Sequence, residues 1–280
     1  MRMSELSQLE LENVLVAIDG KVATITLNRP KKKNAMSPDL HRDMGLVFDH
    51  LDSRDDIQVL VMTGAGDAFC TGMDLEQFIA DGFEDPAQFR LNTDLAFGWF
   101  RRLKAFTGVT IASINGWCVA GGMLVAAICD LAFTAEEARF GLSEINFATI
   151  PGAGLTWVTA ELLNRREALF YLTTGRTFDG VEAAKMGLVN YALPLVELSA
   201  HTTEIAREIA GKHPIALRSI KETYYGTRDK SFEDGVDYEA AKLFELGFFS
   251  EDEWIKIALK QFKARTFKPG IEDYSAEDKS

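Results

Sequence analysis

Three short apolar runs, at residues 59–62, 111–114 and 131–133, constrain the fold of this chain more than any other feature. The first run stops at Thr63-Gly64-Ala65-Gly66 and the second at Asn115-Gly116, so a glycine turn follows each of them. Fully apolar strands that alternate with helical segments are typical of a sheet covered by helices on both faces. The pattern therefore predicts an α/β fold.

The N-terminal part predicts a hairpin followed by a helix. Residues 14–18 and 22–27 are rich in β-branched side chains and flank Asp19-Gly20, a strong hairpin signal. Ser37-Pro38 predicts a helix start, with serine as N-cap and proline in the first turn. From about residue 155 the patterns are mostly helical. We expect two domains, an α/β core at 1–195 and a helical C-terminal region at 196–280.

Charge and composition limit the partners of this chain. Its 280 residues include 30 Lys and Arg against 42 Asp and Glu, which gives a net charge of −12. This acidity disfavours nucleic acid and anionic membrane surfaces, although a local basic patch can still bind an anionic cofactor. The sequence has no apolar run near the ~20 residues of a membrane helix. The N-terminal segment lacks the apolar stretch of a signal peptide, so we expect a cytoplasmic protein.

The cysteines and histidines give no sign of a metal site. Cys70, Cys118 and Cys129 form no metal-ligand spacing, and we expect free buried thiols in a reducing compartment. The four histidines are expected on helix surfaces or at helix ends. They are His41, His50, His201 and His213.

Two glycine-containing turns could bind an anionic oxygen. Residues 69–75 follow the strand predicted at 59–62, and residues 115–122 follow the strand at 111–114 and lead into a helix. Small residues let a ligand approach the backbone, and the amides at a helix N-terminus favour negative charge. Two such turns side by side could aim two N–H groups at one oxygen, as in an oxyanion hole. The alternative is tight packing of helix on strand.

Glu144 is the candidate acid or base. It lies in Phe140–Asn146, between apolar residues, and Ile150-Pro151-Gly152 follows. Burial among apolar residues would raise the pKa of its carboxyl toward working pH, which suits proton transfer. A solvated or helix-capping glutamate is the alternative. The sequence contains no P-loop, no GxSxG and no HExxH motif, which disfavours the common ATPases, α/β hydrolases and zinc proteases.

Taken together, these segments resemble the crotonase (enoyl-CoA hydratase/isomerase) superfamily over residues 12–265. The matching segments are Asn28-Arg29-Pro30, Asn34-Ala35-Met36, Thr63-Gly64, Phe69, Gly72–Leu75, Asn115-Gly116, Gly121-Gly122, Cys129–Ala132, Phe140-Gly141, Glu144-Ile145, Ile150–Gly152, Thr174-Gly175, Ala183-Ala184 and Gly187–Val189. Within this superfamily the chain is most similar to the p-hydroxycinnamoyl-CoA hydratase-lyases. The segments that carry this second resemblance are Asn34–Pro38, Asn115–Cys118, Gly141–Asn146 and Lys268-Pro269-Gly270.

The resemblance implies a crotonase (ClpP-like) fold of repeated ββα units with a helical C-terminal region, assembled as homotrimers or dimers of trimers. It implies an acyl-CoA substrate and no covalently bound cofactor, since coenzyme A is part of the substrate. The amides of Met73 and Gly121 would hold the thioester oxygen of an enolate intermediate, and Glu144 would be the acid/base.

The resemblance also implies a set of substrate-binding residues. Lys32 would lie near the CoA phosphates, and Thr71 and Leu75 would meet the adenine and pantetheine. Phe78 and Phe147 would line an apolar acyl pocket, although core packing is an equal alternative for both. Lys32 has the alternative of a solvated loop charge. Gly122, Ser143 and Gly152 complete the predicted set.

The chain departs from its relatives at three positions. Ordinary enoyl-CoA hydratases use two glutamates, and the first of these is Leu124 here. The hydratase-lyases hold a phenol oxygen with two tyrosines, and these positions are Phe78 and Ala240 here. A hydratase or hydratase-lyase with Glu144 as its single acid/base is therefore the main hypothesis. A Δ3,Δ2-enoyl-CoA isomerase, a hydrolase acting on a C–C or thioester bond, and a non-catalytic acyl-CoA-binding protein remain alternatives. The acyl group stays open.

Overall fold

The computed structural model describes residues 11–250, 253–266 and 268. Pro269 and Gly270, which belong to one of the matching segments, lie outside these residues, as does most of the N-terminal segment. The chain divides into two compact units, Met1–Arg207 and Glu208–Ser280. The domain boundary predicted at residue 195 stays a prediction.

The first unit contains all the strands that the structure describes, and helices separate many of them. The strands are β1 (Val14–Asp19), β2 (Val22–Leu27), β3 (Val59–Gly64), β4 (Ala68–Cys70), β5 (Val109–Ile114), β6 (Trp117–Val119), β7 (Leu131–Ala135), β8 (Arg139–Gly141), β9 (Thr177–Asp179) and β10 (Tyr191–Leu193). The helices that begin in this unit are α1 (Pro38–Leu51), α2 (Asp81–Glu84), α3 (Pro86–Lys104), α4 (Gly121–Ala127), α5 (Leu155–Leu162), α6 (Arg165–Thr174), α7 (Gly180–Lys185) and α8 (Leu195–Ala210). The helices of the second unit are α9 (Pro214–Thr227), α10 (Phe232–Phe249) and α11 (Glu253–Lys263).

A six-stranded sheet in the order β1-β2-β3-β5-β7-β10 forms the centre of the first unit. β1 pairs antiparallel with β2, and the other neighbours in this sheet are parallel. The three apolar runs form β3, β5 and β7, and the first four residues of β3 are all buried. The predicted α/β class and the predicted hairpin are confirmed, and Gly20 turns between β1 and β2 with φ of 58°.

A second sheet, β4-β6-β8-β9, lies among the glycine turns and corrects their predicted description. Residues 69–75 and 115–122 do not follow the long strands as simple turns, because Ala68–Cys70 and Trp117–Val119 form strands within them. These strands have three residues each, too few to show the alternation that reveals a strand in sequence.

Three glycines, at the end of β3, between β5 and β6, and on α4, lie directly against the backbone of residues 67–70. A methyl group at Gly64 would lie 2.0 Å from the carbonyl oxygen of Ala68. One at Gly116 would lie 2.1 Å from the oxygen of Asp67, and one at Gly122 would lie 2.1 Å from the oxygen of Cys70. No side chain fits at such distances, so the close approach to residues 67–70 requires glycine at these three positions.

The start of α1 is as predicted. Ser37 caps the helix, since its Oγ accepts from the Leu40 N–H at 3.2 Å, and Pro38 is in the first turn. The sequence patterns described above did not include α3, which packs on α1. Among the described residues, none of the helices combines the length and apolar character that a membrane span needs.

One histidine prediction is wrong. His41 lies on α1 with 0% of its surface exposed, because its ring packs against α3. His213 does lie at a helix end, where its Nδ1 accepts from the Ala216 N–H at 3.3 Å and caps α9.

The three cysteines are buried and none of them is in a disulfide, as predicted. Burial raises the pKa of the Cys70 thiol to about 12. Burial, with Cys70 and Cys129 nearby, also raises the pKa of Cys118 well above its ordinary value. Cys70 and Cys118 are therefore neutral thiols in the core.

Candidate active site

The segment that carries the Met73 amide is held by a backbone bridge to Met36. The Met36 N–H donates to the Gly72 oxygen at 2.7 Å, and the Asp74 N–H donates to the Met36 oxygen at 3.0 Å. These two bonds fix the residues on either side of Met73. Within the described part of the chain the Met73 N–H has no acceptor, so it is available to a ligand.

A buried ion pair holds the same segment from the other side. The Arg29 guanidinium lies 3.0 Å from the Asp74 carboxylate, which also accepts from the Glu76 and Gln77 N–H groups at 3.1 Å. Burial raises the pKa of the Asp74 carboxyl, but the Gln77 N–H and the Arg29 guanidinium outweigh it, so the net pKa is below the ordinary value. The ionised carboxylate anchors the π-helical turn Leu75–Ala80 that follows. This ion pair was not predicted from the sequence, although Arg29 and Asp74 both lie in segments that carry the family resemblance.

Gly121 opens α4 and brings a second amide to the same place. A methyl group at Gly72 would lie 3.1 Å from the Gly121 nitrogen. A methyl group at Gly121 would lie 3.7 Å from the Met73 nitrogen. Both amides therefore border one small space, which the absence of these side chains keeps open. The Gly121 N–H also has no acceptor among the residues that the structure describes.

Glu144 follows a strand that pairs with the one leading to Gly121. Val119 of β6 is in register with Gly141 of β8, and the Ala120 N–H donates to the Gly141 oxygen at 2.9 Å. The 3-10 turn Ser143–Phe147, which contains Glu144, therefore starts beside the turn that precedes α4. This strand pairing brings the turn that contains Glu144 close to the two glycine turns.

The carboxyl of Glu144 has the properties of a proton-transfer group. Its Oε2 atom is buried and has no hydrogen-bond partner among the described residues. Burial raises the pKa of this carboxyl above its ordinary value, although a hydrogen bond from its own backbone N–H lowers it in part. The solvated-glutamate alternative does not fit an enclosed oxygen. Leu124 is buried on α4 and cannot exchange a proton.

The residues predicted to bind CoA lie at the surface. Lys32 Nζ is 2.9 Å from the Glu76 carboxylate, and the hydrogen bond from Lys32 to that carboxylate raises the lysine pKa. The Thr71 hydroxyl donates to the Lys33 oxygen at 3.2 Å, which ties two loops together. Leu75 is 56% exposed. Lys33, the residue after Lys32, was not among the predicted residues. Its Nζ lies 4.7 Å from the centre of the Trp117 ring.

The other predicted residues have varied surroundings. Phe78 is buried, and its ring meets Phe89 and His41 edge to face, with centroids 5.6 and 5.4 Å apart. Phe147 is 63% exposed. Ser143 is half-buried, Gly152 is exposed, and Gly122 lies against the backbone of Cys70. Their contact with substrate stays a prediction. The described residues contain no group of three or more side chains suited to a metal ion.

This chain is similar to known proteins over most of its length. The family model described as Enoyl-CoA hydratase/isomerase matches residues 17–265. A hydroxycinnamoyl-CoA hydratase-lyase from Pseudomonas fluorescens is 38% identical over 266 residues, which cover 94% of this chain and 96% of that protein. A peroxisomal Delta(3,5)-Delta(2,4)-dienoyl-CoA isomerase from Arabidopsis thaliana is 29% identical over 82% of this chain and 86% of its own length.

A solved structure confirms the predicted fold class. The crystal structure of an enoyl-CoA hydratase subunit from Geobacillus kaustophilus HTA426 superposes with a TM-score of 0.83. The match covers 96% of this chain and 100% of that chain at 30% identity.

Replacing Glu144 by Gln is expected to stabilise the folded protein at neutral pH. Between the ordinary pKa and the raised pKa, the folded protein binds more protons than the unfolded chain, so its stability falls as pH rises. Gln removes this penalty. We expect the Tm of Glu144→Gln to exceed that of the wild type at pH 7, and the difference to vanish below the ordinary glutamate pKa of 4.5. Calorimetry across this pH range measures both.

The exposed Glu137 provides a matched control, and Glu137→Gln should not reproduce the pH-dependent gain. A Glu144→Gln protein that is less stable than the wild type at pH 7 would contradict a buried, unpartnered carboxylate.

Proposed function

Because this chain belongs to the enoyl-CoA hydratase/isomerase family, whose members act on CoA thioesters, we propose that it is a hydratase-lyase. It adds water to a 2-enoyl-CoA with a single glutamate and then cleaves the hydrated product. The observation that carries this proposal is the buried, unpartnered Oε2 of Glu144, on a turn that starts beside two unused amides. Similarity to the hydroxycinnamoyl-CoA hydratase-lyase supports the lyase step.

The two amides stabilise the enolate. When water adds to Cβ, the electron pair of the double bond moves toward the thioester carbonyl and negative charge develops on its oxygen. The Met73 and Gly121 N–H groups donate to this oxygen. Preorganised donors of this kind stabilise a transition state by roughly 3–4 kcal/mol each. The Met36 bridge and the Arg29–Asp74 pair hold the Met73 segment in place, so little reorganisation is needed during the reaction.

Glu144 carries the proton in hydration. Its carboxylate takes a proton from water as the water oxygen bonds to Cβ. The protonated carboxyl then gives that proton to Cα as the enolate collapses, which completes the addition of one water. A carboxyl with a raised pKa is a stronger base than an ordinary glutamate and still releases its proton readily near neutral pH, so it can act in both steps.

The same carboxylate starts the cleavage. It takes the proton of the new β-hydroxyl, the Cα–Cβ bond breaks, and an aldehyde leaves. The electron pair returns to the thioester as an enolate, which the two amides hold until the carboxyl protonates its Cα. The second product is a shortened acyl-CoA. Leu124 supports this use of one group for both steps, because it cannot supply a second acid.

The remaining predicted residues complete the proposed site. Lys32, Thr71 and Leu75 contact coenzyme A, which is part of the substrate, and no covalently bound cofactor takes part. Phe78 and Phe147 bound the acyl group. Gly122, Ser143 and Gly152 line the path between them.

We also propose that the protein assembles as a homotrimer or a dimer of trimers. Large apolar side chains on α10 are exposed in the single chain and support burial against another copy; they are Phe232, Leu243, Phe244, Phe248 and Phe249. Light scattering should give the mass of three or six chains. A monomer at micromolar concentration would refute this assembly.

A panel of acyl-CoA thioesters with product analysis by mass spectrometry tests the proposed reaction. Feruloyl-CoA, or another 2-enoyl-CoA, should gain the mass of water and then yield an aldehyde. Glu144→Gln should lower kcat by about 10²–10⁴-fold and leave thioester binding nearly unchanged. In the wild type, kcat/KM should rise with pH through a pKa above 4.5, since the carboxylate is the active form.

Other outcomes identify the alternatives. The similarity to a dienoyl-CoA isomerase favours isomerisation as the second candidate. Conversion of a 3-enoyl-CoA into a 2-enoyl-CoA without aldehyde would establish it. Hydrolysis to free CoA would indicate a hydrolase. Binding without turnover of any thioester would indicate a non-catalytic acyl-CoA-binding protein.

Substitution of Gly72 tests the role of the two amides. Gly72 has φ of 89°, and a methyl group there would lie 3.0 Å from Ala120 Cβ and 3.1 Å from the Gly121 nitrogen. Gly72→Ala should shift this segment and lower kcat by about 10²–10³-fold, as loss of an oxyanion-hole donor does. Steady-state kinetics on the best substrate of the panel measures the loss.

Gly20→Ala is the matched control, because Gly20 also has a positive φ of 58° but no atom within 4 Å of its Cβ position. It should lose stability and keep its kcat. Equal kcat values for Gly72→Ala and the wild type would refute the proposed oxyanion hole.

A further inference from the structure

A cavity of about 300 Å³ lies between α8 and one face of the six-stranded sheet. Residues of β2, β3 and β5 form its floor, and all of its lining residues belong to the first unit. Ligand pockets in proteins have volumes of about 300–1,000 Å³, so this cavity is large enough for a small molecule. The proposed reaction does not use it.

The cavity lies on the opposite side of the sheet from the second sheet. Neighbouring residues of a strand point to opposite faces of a sheet. Thr63 of β3 lines the cavity, whereas a methyl group at the next residue, Gly64, would meet the Ala68 oxygen of β4. The strand β4, which leads to Met73, is therefore on the other face. The six-stranded sheet separates the cavity from the proposed oxyanion hole.

Three hydroxyl groups in the cavity wall donate their protons within the protein. The Thr202 hydroxyl donates to the Leu198 oxygen at 2.8 Å, so the Ser113 hydroxyl must donate in its 3.1 Å contact with Thr202. The Thr63 hydroxyl donates to the Ser113 backbone oxygen at 2.9 Å. The hydroxyl oxygens of Ser113 and Thr63 keep lone pairs, which can accept hydrogen bonds from a ligand.

Two further hydroxyl groups in the wall have no partner among the described residues. They belong to Thr24 on β2 and Ser199 on α8, and each can donate a hydrogen bond as well as accept one. Val22 and Val61 add apolar surface to the floor. The cavity therefore presents acceptors and donors side by side, next to apolar groups. An alcohol matches this pattern, because each of its hydroxyls both donates and accepts.

The charged residues of the cavity neutralise each other. Arg207 Nη2 lies 2.9 Å from the Asp19 carboxylate, and both side chains are largely exposed. Within the described part of the chain, these are the only two ionisable residues that line the cavity. An ionic ligand would lose its hydration here without gaining an uncompensated opposite charge, so the cavity favours an uncharged ligand.

We propose that this cavity is a second binding site, for a small uncharged polyol such as a cyclitol or a monosaccharide. Its volume is that of about ten water molecules, which suits a single ring that carries several hydroxyl groups. The ligand hydroxyls pair with Thr24, Thr63, Ser113 and Ser199, and its ring carbons lie on the valines of the floor. This site is separate from the proposed acyl-CoA site and does not depend on the proposed function.

Methyl NMR of threonine-labelled protein tests the site, with myo-inositol and D-glucose as probes. The methyl signals of Thr24, Thr63 and Thr202 should shift and saturate with a Kd of about 1 mM for at least one probe, an ordinary affinity for a ligand of this size. The signal of Thr174, on α6, should stay in place. Absence of a saturable shift with both probes would refute the proposal.

Two further additions test the chemistry and the place of binding. Cyclohexanol has a similar ring with a single hydroxyl and should bind about tenfold more weakly than the polyol, since it makes fewer hydrogen bonds. Equal affinities would show that the cavity selects apolar surface, contrary to the proposal. Saturating CoA should leave the polyol Kd unchanged. Displacement of the polyol by CoA would place it in the acyl-CoA site and would also refute a second site.

Thr24→Val removes a hydroxyl that the described protein does not use, so this variant should fold normally. It should raise the polyol Kd by about fivefold, the effect of one hydrogen bond. Thr26→Val is the matched control, because Thr26 is on the same face of β2 and does not line the cavity. It should keep the wild-type Kd. An unchanged Kd in Thr24→Val, or an equal loss in both variants, would overturn the proposal.

Discussion

The close contact of three glycines with the backbone of residues 67–70 is the constraint on which this structure depends. Carbonyl oxygens of residues 67–70 occupy the positions that side chains would need at Gly64, Gly116 and Gly122. This approach places the segment after β4 beside the segment after β6. The proposed oxyanion hole is a consequence of that contact, because its two amides belong to those segments. On the proposed function, these glycines serve both packing and chemistry, so the two interpretations of the glycine turns are compatible.

The reactive groups of the site are those that the fold leaves unsatisfied. Backbone bridges and the Arg29–Asp74 pair satisfy the groups around Met73, while the Met73 and Gly121 amides keep no partner within the described chain. The buried oxygen of Glu144 also has no hydrogen-bond partner among the described residues. Each of these groups is available to a bound ligand. On the proposed function, one acyl-CoA molecule would satisfy them all.

Much of the fold could be predicted from the sequence, because strong local sequence patterns determine it. The hairpin around Asp19-Gly20, the cap at Ser37 and the apolar run of β3 have strong local patterns, and the structure has all of them. The three-residue strands of the second sheet have no such pattern. The burial of His41 was also out of reach, since it depends on Trp99, which lies 58 residues away on a helix that the patterns did not include.

The main residues of the candidate site could be predicted from the sequence, but the contacts that hold them in place could not. Glu144, Met73 and Gly121 follow from glycine turns, an isolated carboxylate and a family resemblance. The role of Met36 depends on a single bridge to Met73, and a bridge between isolated residues leaves no periodic signal. The Arg29–Asp74 pair likewise joins residues that only the tertiary fold brings together.

The buried thiols of Cys70 and Cys118 allow local unfolding of this protein to be measured. Cys70 comes directly before Thr71-Gly72-Met73, and Cys118 lies three residues before Gly121. Both are enclosed and held neutral, so an alkylating reagent can modify them only when the surrounding segment transiently unfolds. The rate at which Cys70 and Cys118 are alkylated therefore measures how often the segments at the two glycine turns unfold locally. No engineered label is needed.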